Sequence, residues 1–365
     1  GMIQDIDWSQ VAAKTKLSLQ RDKDRITAEF KEFAAMDTSA KIDWLMNGDR
    51  HLGYLYKKDA IAFARREWKG LKSVGYDFVG WLKIWGGMLN MVMKDPVSIM
   101  LAVFEYHWFA SYLATPAVVD RSVFGRRGKL LQADFDMWVA ITHWAEDLIA
   151  NLIMADAKIG GNQKINKRII MFDEMTMAQM MAGFPNLLGI PYQMIPVFMV
   201  SEMDQLTLIP YIDAIESYGL PSDTCPLPTA ECGCAVKDEY PMCGQGFIAS
   251  SMPCDGSVMA TSFQDRRFSK FMPSYPLCMP VRYDDEDTTE MAAADMKDCI
   301  HWVEGLTGET WNWDTYFATM EKMNECTRLE MEKWEINKTH YPQLVGSSFE
   351  LFRKWNYEMD GGLFP

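Results

Sequence analysis

Cysteine is missing from the first 224 residues of this chain, after which Cys225, Cys232, Cys234, Cys243 and Cys254 fall within 30 residues, followed by Cys278, Cys299 and Cys326. The opening IQDIDWSQ has neither the basic start nor the apolar stretch of a secretory signal, so a cytoplasmic protein with reduced thiols is expected. A disulfide framework is thereby the weaker reading, and metal binding or redox chemistry the stronger. Basic charge is short too. The chain has 36 Lys and Arg against 50 Asp and Glu, a formal net charge of −14, and small clusters such as Arg126-Arg127 do not offset it. That balance repels phosphate backbones and anionic headgroups, so neither nucleic acid nor membrane is an expected partner. The longest charge-free run, Met175 to Ser201, is broken by Gly183, Pro185, Gly189, Pro191 and Pro196, and reads as a buried α/β segment. Internal repeats, low-complexity tracts and a G-x-x-x-x-G-K-[ST] phosphate loop are absent.

What is present is the make-up of a folded chain, 365 residues long, 48% hydrophobic and 24% charged, long enough for two cores. Residues 1–165 read as a helical region. In DFDMWVAITHWAEDLIANLIMADAK, Phe135, Trp138, Ile141, Ala145, Leu148 and Leu152 share one helical face. Earlier helices are expected over Ile26 to Ala35, Lys58 to Lys69 and Pro96 to Leu113, the last opened by its proline.

The pattern changes at Lys167. RIIMF (168–172) reads as a strand, MTMAQMMAGF as a helix and Tyr192 to Val200 as a second strand, the start of a parallel α/β unit. Gly246 to Ser250 and the run around Tyr275 to Met279 are further strands; Thr289 to Gly305 and Asp314 to Ile336 are helices. The expected fold class is therefore α/β: an N-terminal helical region, a Rossmann-like parallel-sheet domain over 166–336 carrying the cysteines, C-terminal helices, and a tail over 337–365 with one short helix at Glu350 to Tyr357.

Ligands of open α/β sheets sit beyond the carboxyl ends of strands. Cys254 follows a strand in SSMPCDGS, and Cys225 lies in the loop GLPSDTCPLP. Soft thiolates suit iron–sulfur clusters, but the spacing has neither the paired knuckles of a zinc site nor a ferredoxin pattern, so residues alone leave the metal open. Glu174, after the first strand, either positions a substrate hydroxyl and moves a proton or serves as an acid at a helix N-terminus. His107 and His143 read as packed histidines, Cys299 and Cys326 as buried hydrophobes, the 28 methionines as core filling, and Asp284 to Asp287 as the solvated first turn of a helix.

Three ordered stretches are similar to the first half of subunits of the 2-hydroxyacyl-CoA dehydratase and benzoyl-CoA reductase family: RIIMFDEMTMAQMMAGFPNLLGIP, YIDAIESYGLPSDTCPLPTAECG, and GFIASSMPCDGSVMATSFQDRRF with PLCMPVRYDDE and WVEGLTGETWNWDTYFATMEKMNE. The resemblance spans about Lys167 to Arg328. Its most specific parts are Pro-Cys-Asp at 253–255, the Cys225 loop, and Leu-Thr-Gly at 306–308 leading to Asn324. It implies a 4Fe-4S cluster with Cys225 and Cys254 as ligands, completed from among Cys232, Cys234, Cys243 and Cys278, with Cys234 taken as the third. The family's second α/β half has no recognisable counterpart here. Pro226 also stands where many relatives carry a small hydroxyl residue, and Cys232-Gly233-Cys234 is not part of the family pattern.

The resemblance further implies a lyase of anaerobic metabolism that dehydrates a 2-hydroxyacyl-CoA, or a related reductase. Because the C3 hydrogen is not acidic, such chemistry starts by adding an electron to the thioester carbonyl. The implied partners are the acyl-CoA substrate, a related dehydratase subunit and an ATP-dependent iron–sulfur activator protein. The alternative is a non-catalytic iron–sulfur, metal-binding or acyl-CoA-binding accessory protein.

Overall fold

The computed structural model describes residues 8–47, 54, 56, 57, 60, 70–122, 129–159, 168–172, 178–191, 196, 197, 200, 201, 205–250, 255–270, 272–278, 280 and 285–340. The N-terminal layer is helical: α1 (Trp8–Ala35), α2 (Thr38–Asn47), α3 (Leu71–Lys94), α4 (Pro96–Glu105), α5 (Phe109–Leu113), α6 (Thr115–Ser122) and α7 (Lys129–Ala155). In α7, Phe135, Trp138, Ala145, Leu148 and Leu152 are buried as their spacing predicts, and Ile141 is half-buried. Helix α3 lies against them. Two glycines permit its approach, since a Cβ at Gly80 would stand 2.6 Å from the Phe135 ring and one at Gly87 within 2.5 Å of His143.

The single helix expected from Pro96 to Leu113 is two. Asp95 caps α4 by accepting from the Ser98 N–H at 3.2 Å, and Pro96 fills its first position. The chain then turns extended at Tyr106 (φ −116°, ψ 113°), because tertiary bonds compete with the helix there. The Tyr106 hydroxyl donates to Asp156, the His107 N–H donates to Glu239 at 2.7 Å, and the Trp108 indole donates to the Glu239 carbonyl at 2.8 Å.

Among the described residues four strands follow, β1 (Arg168–Phe172), β2 (Leu187–Pro191), β3 (Gly246–Ser250) and β4 (Ser274–Leu277), in one parallel sheet of order β2-β1-β3-β4. The second strand is displaced from the Tyr192 to Val200 run. It uses Gly189, whose missing Cβ makes room for Met181 at 2.7 Å and Phe172 at 2.9 Å, and it ends in Pro191, tolerated at the end of an edge strand. The expected helix between β1 and β2 is, in its described part, one 3₁₀ turn at Ala178–Met181. Between β2 and β3 come α8 (Ile209–Glu216) and α9 (Pro226–Val236), and α10 (Asp255–Phe268) links β3 to β4. The chain closes on α11 (Glu286–Thr307) and α12 (Trp313–Asn337). The tail helix at Glu350 to Tyr357 and most of the Lys58 to Lys69 helix lie outside the described residues.

Side-chain alternation divides the sheet between two layers. Ile169, Met171, Phe247 and Ala249 join one core with α3, α4, α7 and α9; Ile170, Phe172, Ile248 and Leu277 join another with Cys299, Ile300 and Val303 of α11. Covered on both faces, the strands read as continuous apolar runs. Helix α11 is capped at both ends. Asp285 accepts from the Thr288 N–H at 2.7 Å, and Gly308 takes the left-handed conformation (φ 74°) with its N–H on the Glu304 carbonyl. The acidic run before α11 thus supplies a cap, as its position suggested.

A buried ionic network fastens the helical layer to α9. The Lys158 ammonium, fully buried, meets Glu105 at 3.4 Å and Asp238 at 3.1 Å, and Arg25 also pairs with Glu105. Asp238 adopts φ 61°, a conformation Asp tolerates better than most residues, and its carbonyl accepts from the same ammonium. Burial raises the Glu105 carboxyl to about 7 against the pull of both cations.

Candidate functional site

The order of the sheet locates a crevice. The link from β1 to β2 crosses on the α11 side, where Met180, Met181 and Phe184 pack; the link from β2 to β3 crosses on the other, with α8 and α9. Chain direction therefore switches between β1 and β3, and ligands of such sheets bind beyond the carboxyl ends of the two strands at the switch. Those ends are Phe172 and Ser250. Glu174 and Cys254 come two and four residues later in the chain, and both lie outside the described residues. Ser250 is buried, and among the described residues its hydroxyl has no hydrogen-bond partner, which leaves a polar atom unsatisfied at the switch.

Cys225 is the residue before α9. Its backbone is fixed, because Thr229 directs both its N–H (3.3 Å) and its hydroxyl (2.8 Å) to the Cys225 carbonyl. Its side chain does not cap the helix and is exposed. Pro226 and Pro228 have no N–H, so Leu227 brings the first turn's free donor at this end.

The C-terminal ends of α9 and α10 are tied together. Arg267, in the last turn of α10, pairs with Asp238 just past α9, and Gln264 donates at 3.1 Å to the Tyr240 hydroxyl. The two helices pack side by side in the same direction. Cys225 precedes Asp238 by 13 residues and Cys254 precedes Arg267 by 13. At about 1.5 Å per residue both helices start level, on the carboxyl side of the sheet. The sequence placed Cys225 and Cys254 in separate loops; what it did not reveal is that the helices after them run in step.

The other thiols differ in kind. Cys234 lies nine residues along α9, roughly 13 Å of helix rise from Cys225, and is fully buried. Burial, with Glu239 nearby, raises its thiol well above the usual range. Cys232 is buried against Ile215 and Ala260, and burial with Glu231 pushes it up to about 12. Neither presents sulfur to the sheet edge. Cys299 is buried as its helix spacing suggested, and burial pushes it to about 12, whereas Cys326 is half-buried. Cys278 is exposed at the carboxyl end of β4, its N–H donating to Asp295 at 2.6 Å. Leu277 is the register partner of Ser250, so Cys278 sits one strand over from the loop after β3.

A thiolate ligand for iron must be accessible and easily deprotonated. Cys225 and Cys278 meet the first requirement and Cys234 does not. Among the described residues, no three His, Cys, Asp or Glu side chains converge as a metal site. The Glu105, Lys158 and Asp238 network went unread in the sequence; its one signal was the charged Asp156-Ala-Lys158 closing an apolar helix.

No curated protein and no solved structure matches the chain. One family model does, over residues 205–359, and its family, described as 2-hydroxyglutaryl-CoA dehydratase, D-component, agrees with the resemblance carried by the motifs around Cys225 and Cys254.

Proposed function

We propose that this chain is a subunit of a 2-hydroxyacyl-CoA dehydratase-like enzyme and holds an iron–sulfur cluster at the carboxyl edge of its sheet. The observation that carries the reading is the level start of α9 and α10, which brings the exposed Cys225 and the residue after Cys254 to one end of a helix pair within the matched segment. Cys225 and Cys254 supply thiolates. The third falls to Cys278, exposed at the neighbouring strand end, in preference to Cys234, whose buried thiol would have to be drawn out of the core. Bound there, a cluster supplies a low-potential electron and a Lewis-acidic iron for an acyl-CoA thioester. Glu174, two residues past β1, orients the substrate hydroxyl or moves its proton. A related subunit and an ATP-dependent activator complete the system.

Iron and acid-labile sulfide, measured on protein purified without oxygen, test this. The expected content is about four of each per chain. Cys225→Ser, Cys254→Ser and Cys278→Ser should each lose iron with far-UV circular dichroism unchanged, while Cys234→Ser should keep it. In metal-free protein a thiol reagent should modify Cys225 and Cys278 first and reach Cys232 and Cys234 only on unfolding. Full iron in Cys225→Ser, or its absence from the parent protein, would overturn the assignment.

A further inference from the structure

Side-chain alternation gives the switch crevice two unlike sides. Met171, Phe247 and Ala249 face the layer of α9 and α10, the helices that begin just after Cys225 and Cys254. Ile170, Phe172, Ile248 and Leu277 face α11. Ser250 belongs to this second row, since it stands two residues beyond Ile248 and is the register partner of Leu277. The cysteine-bearing helices and the Ser250 hydroxyl therefore approach the crevice from opposite faces of the sheet.

That hydroxyl is out of place as a core group. On the same face the Tyr275 hydroxyl donates to Asp295 at 2.7 Å, whereas Ser250, 2% exposed, has no hydrogen-bond partner among the described residues. A buried hydroxyl without a hydrogen bond is a standing cost to the fold, and so small a side chain at the end of a covered strand offers little packing in return. Such costs are kept at functional sites, where a ligand supplies the missing partner. Its place narrows the ligand. Phe172 pairs with Ile248, and Ser250 comes two residues past Ile248 as Glu174 comes two residues past Phe172 in the chain. A neutral group that both donates and accepts, matched in register with a carboxylate, complements an alcohol; a phosphate or a second carboxylate would be repelled.

We propose that Ser250 reads the 2-hydroxyl of the acyl-CoA: its O–H donates to that oxygen, whose own O–H donates to the Glu174 carboxylate. The inference rests on the dehydratase reading for its ligand, and it adds the residue that tells a 2-hydroxyacyl thioester from its 2-deoxy counterpart.

The full chain, purified without oxygen, is titrated by calorimetry with 2-hydroxyglutaryl-CoA, the thioester in the description of the matched family, and with glutaryl-CoA, which lacks only the hydroxyl. The parent should bind the first at least about 10-fold more tightly. In Ser250→Ala that preference should shrink about 10-fold, through weaker binding of the hydroxy thioester alone and with iron content unchanged. Ser250→Thr, which keeps a hydroxyl, should recover part of it. The ligand-free alanine variant should also unfold in urea at a midpoint no lower than the parent's, because it loses no hydrogen bond. A lower midpoint would reveal a structural partner for the hydroxyl and overturn the inference. An undiminished preference in Ser250→Ala overturns it too, as does a parent that binds neither thioester, or both equally. Iron missing from the parent would sink the cluster reading while the thioester preference still decides Ser250; full iron beside an unchanged preference sinks Ser250 alone.

Discussion

Gly233 separates the two buried cysteines of α9, and substituting it by alanine gives an effect whose sign is decided by tertiary packing. In an exposed helix, glycine to alanine gains about 1 kcal/mol. At Gly233, however, the new Cβ would stand 2.5 Å from the carbonyl carbon of Tyr211 in α8 and closer still to its oxygen. Ordinary carbon–carbon contact is about 3.5–4.0 Å, so the overlap approaches ~1 Å. The obstacle is backbone, which no rotamer change relieves. Overpacking of this kind costs about 1–3 kcal/mol, and backbone against backbone lies at the upper end. The expected net result for Gly233→Ala is a loss of about 2 kcal/mol. Gly305→Ala, on the exposed side of α11 with nothing within 4 Å of the new carbon, serves as the control and should gain about 0.5–1 kcal/mol. Urea unfolding followed by tryptophan fluorescence reads both. With a slope of about 3 kcal/mol per molar, the midpoint falls by roughly 0.7 M in the first variant and rises by about 0.2–0.3 M in the second. Midpoints moving in the same direction would refute the close approach of α8 and α9.

Glu146, buried beside Gly87 with neither carboxyl oxygen hydrogen-bonded among the described residues, is raised by desolvation to about 8. The fold therefore favours the neutral acid: its contribution is complete below the unfolded value near 4.5 and is lost as pH climbs through about 8. Glu105 titrates in the same window, so the difference between parent and Glu146→Gln is the useful curve, and it should widen in favour of the variant from pH 4.5 to 8. Parallel stability curves would exclude a buried, ionisable Glu146. In the ionic network, Lys158→Met leaves buried Glu105 with Arg25 as its remaining cation and should cost about 3 kcal/mol in urea unfolding, with Glu105→Gln in the same chain recovering part of the loss. A double variant no more stable than Lys158→Met alone would show that the under-compensated Glu105 charge is not the cause.

The strands legible in the sequence were those whose local preference and tertiary setting agree. RIIMF and GFIAS are short apolar runs that end up covered on both faces, and their bounds match β1 and β3. LLGIP was passed over because glycine and proline weaken its strand signal, although Gly189 is what lets β2 lie against Phe172 and Met181. Helix α3 lies within the expected helical region, but Gly75, Gly80, Gly86 and Gly87 weaken its local helix preference and hide its bounds. The break at Tyr106 is set by bonds to Asp156 and Glu239, partners too distant in sequence to be read from the segment itself. For the site, Cys225 stood out through its loop. That Cys234 turns inward depends on which face of α9 meets Tyr211, a matter of helix packing that spacing does not encode.

The long reach of those bonds also bears on how the chain is made. His107 and Trp108 are met by Glu239, 132 and 131 residues later. At about 5–20 residues per second, a ribosome takes roughly 7–26 s to deliver that partner. Through that interval the nascent helical layer lacks its carboxylate clamp, and β3, beside β1 in the sheet face it packs against, is still to come. That part of the layer can close only after α9 and Glu239 have been made.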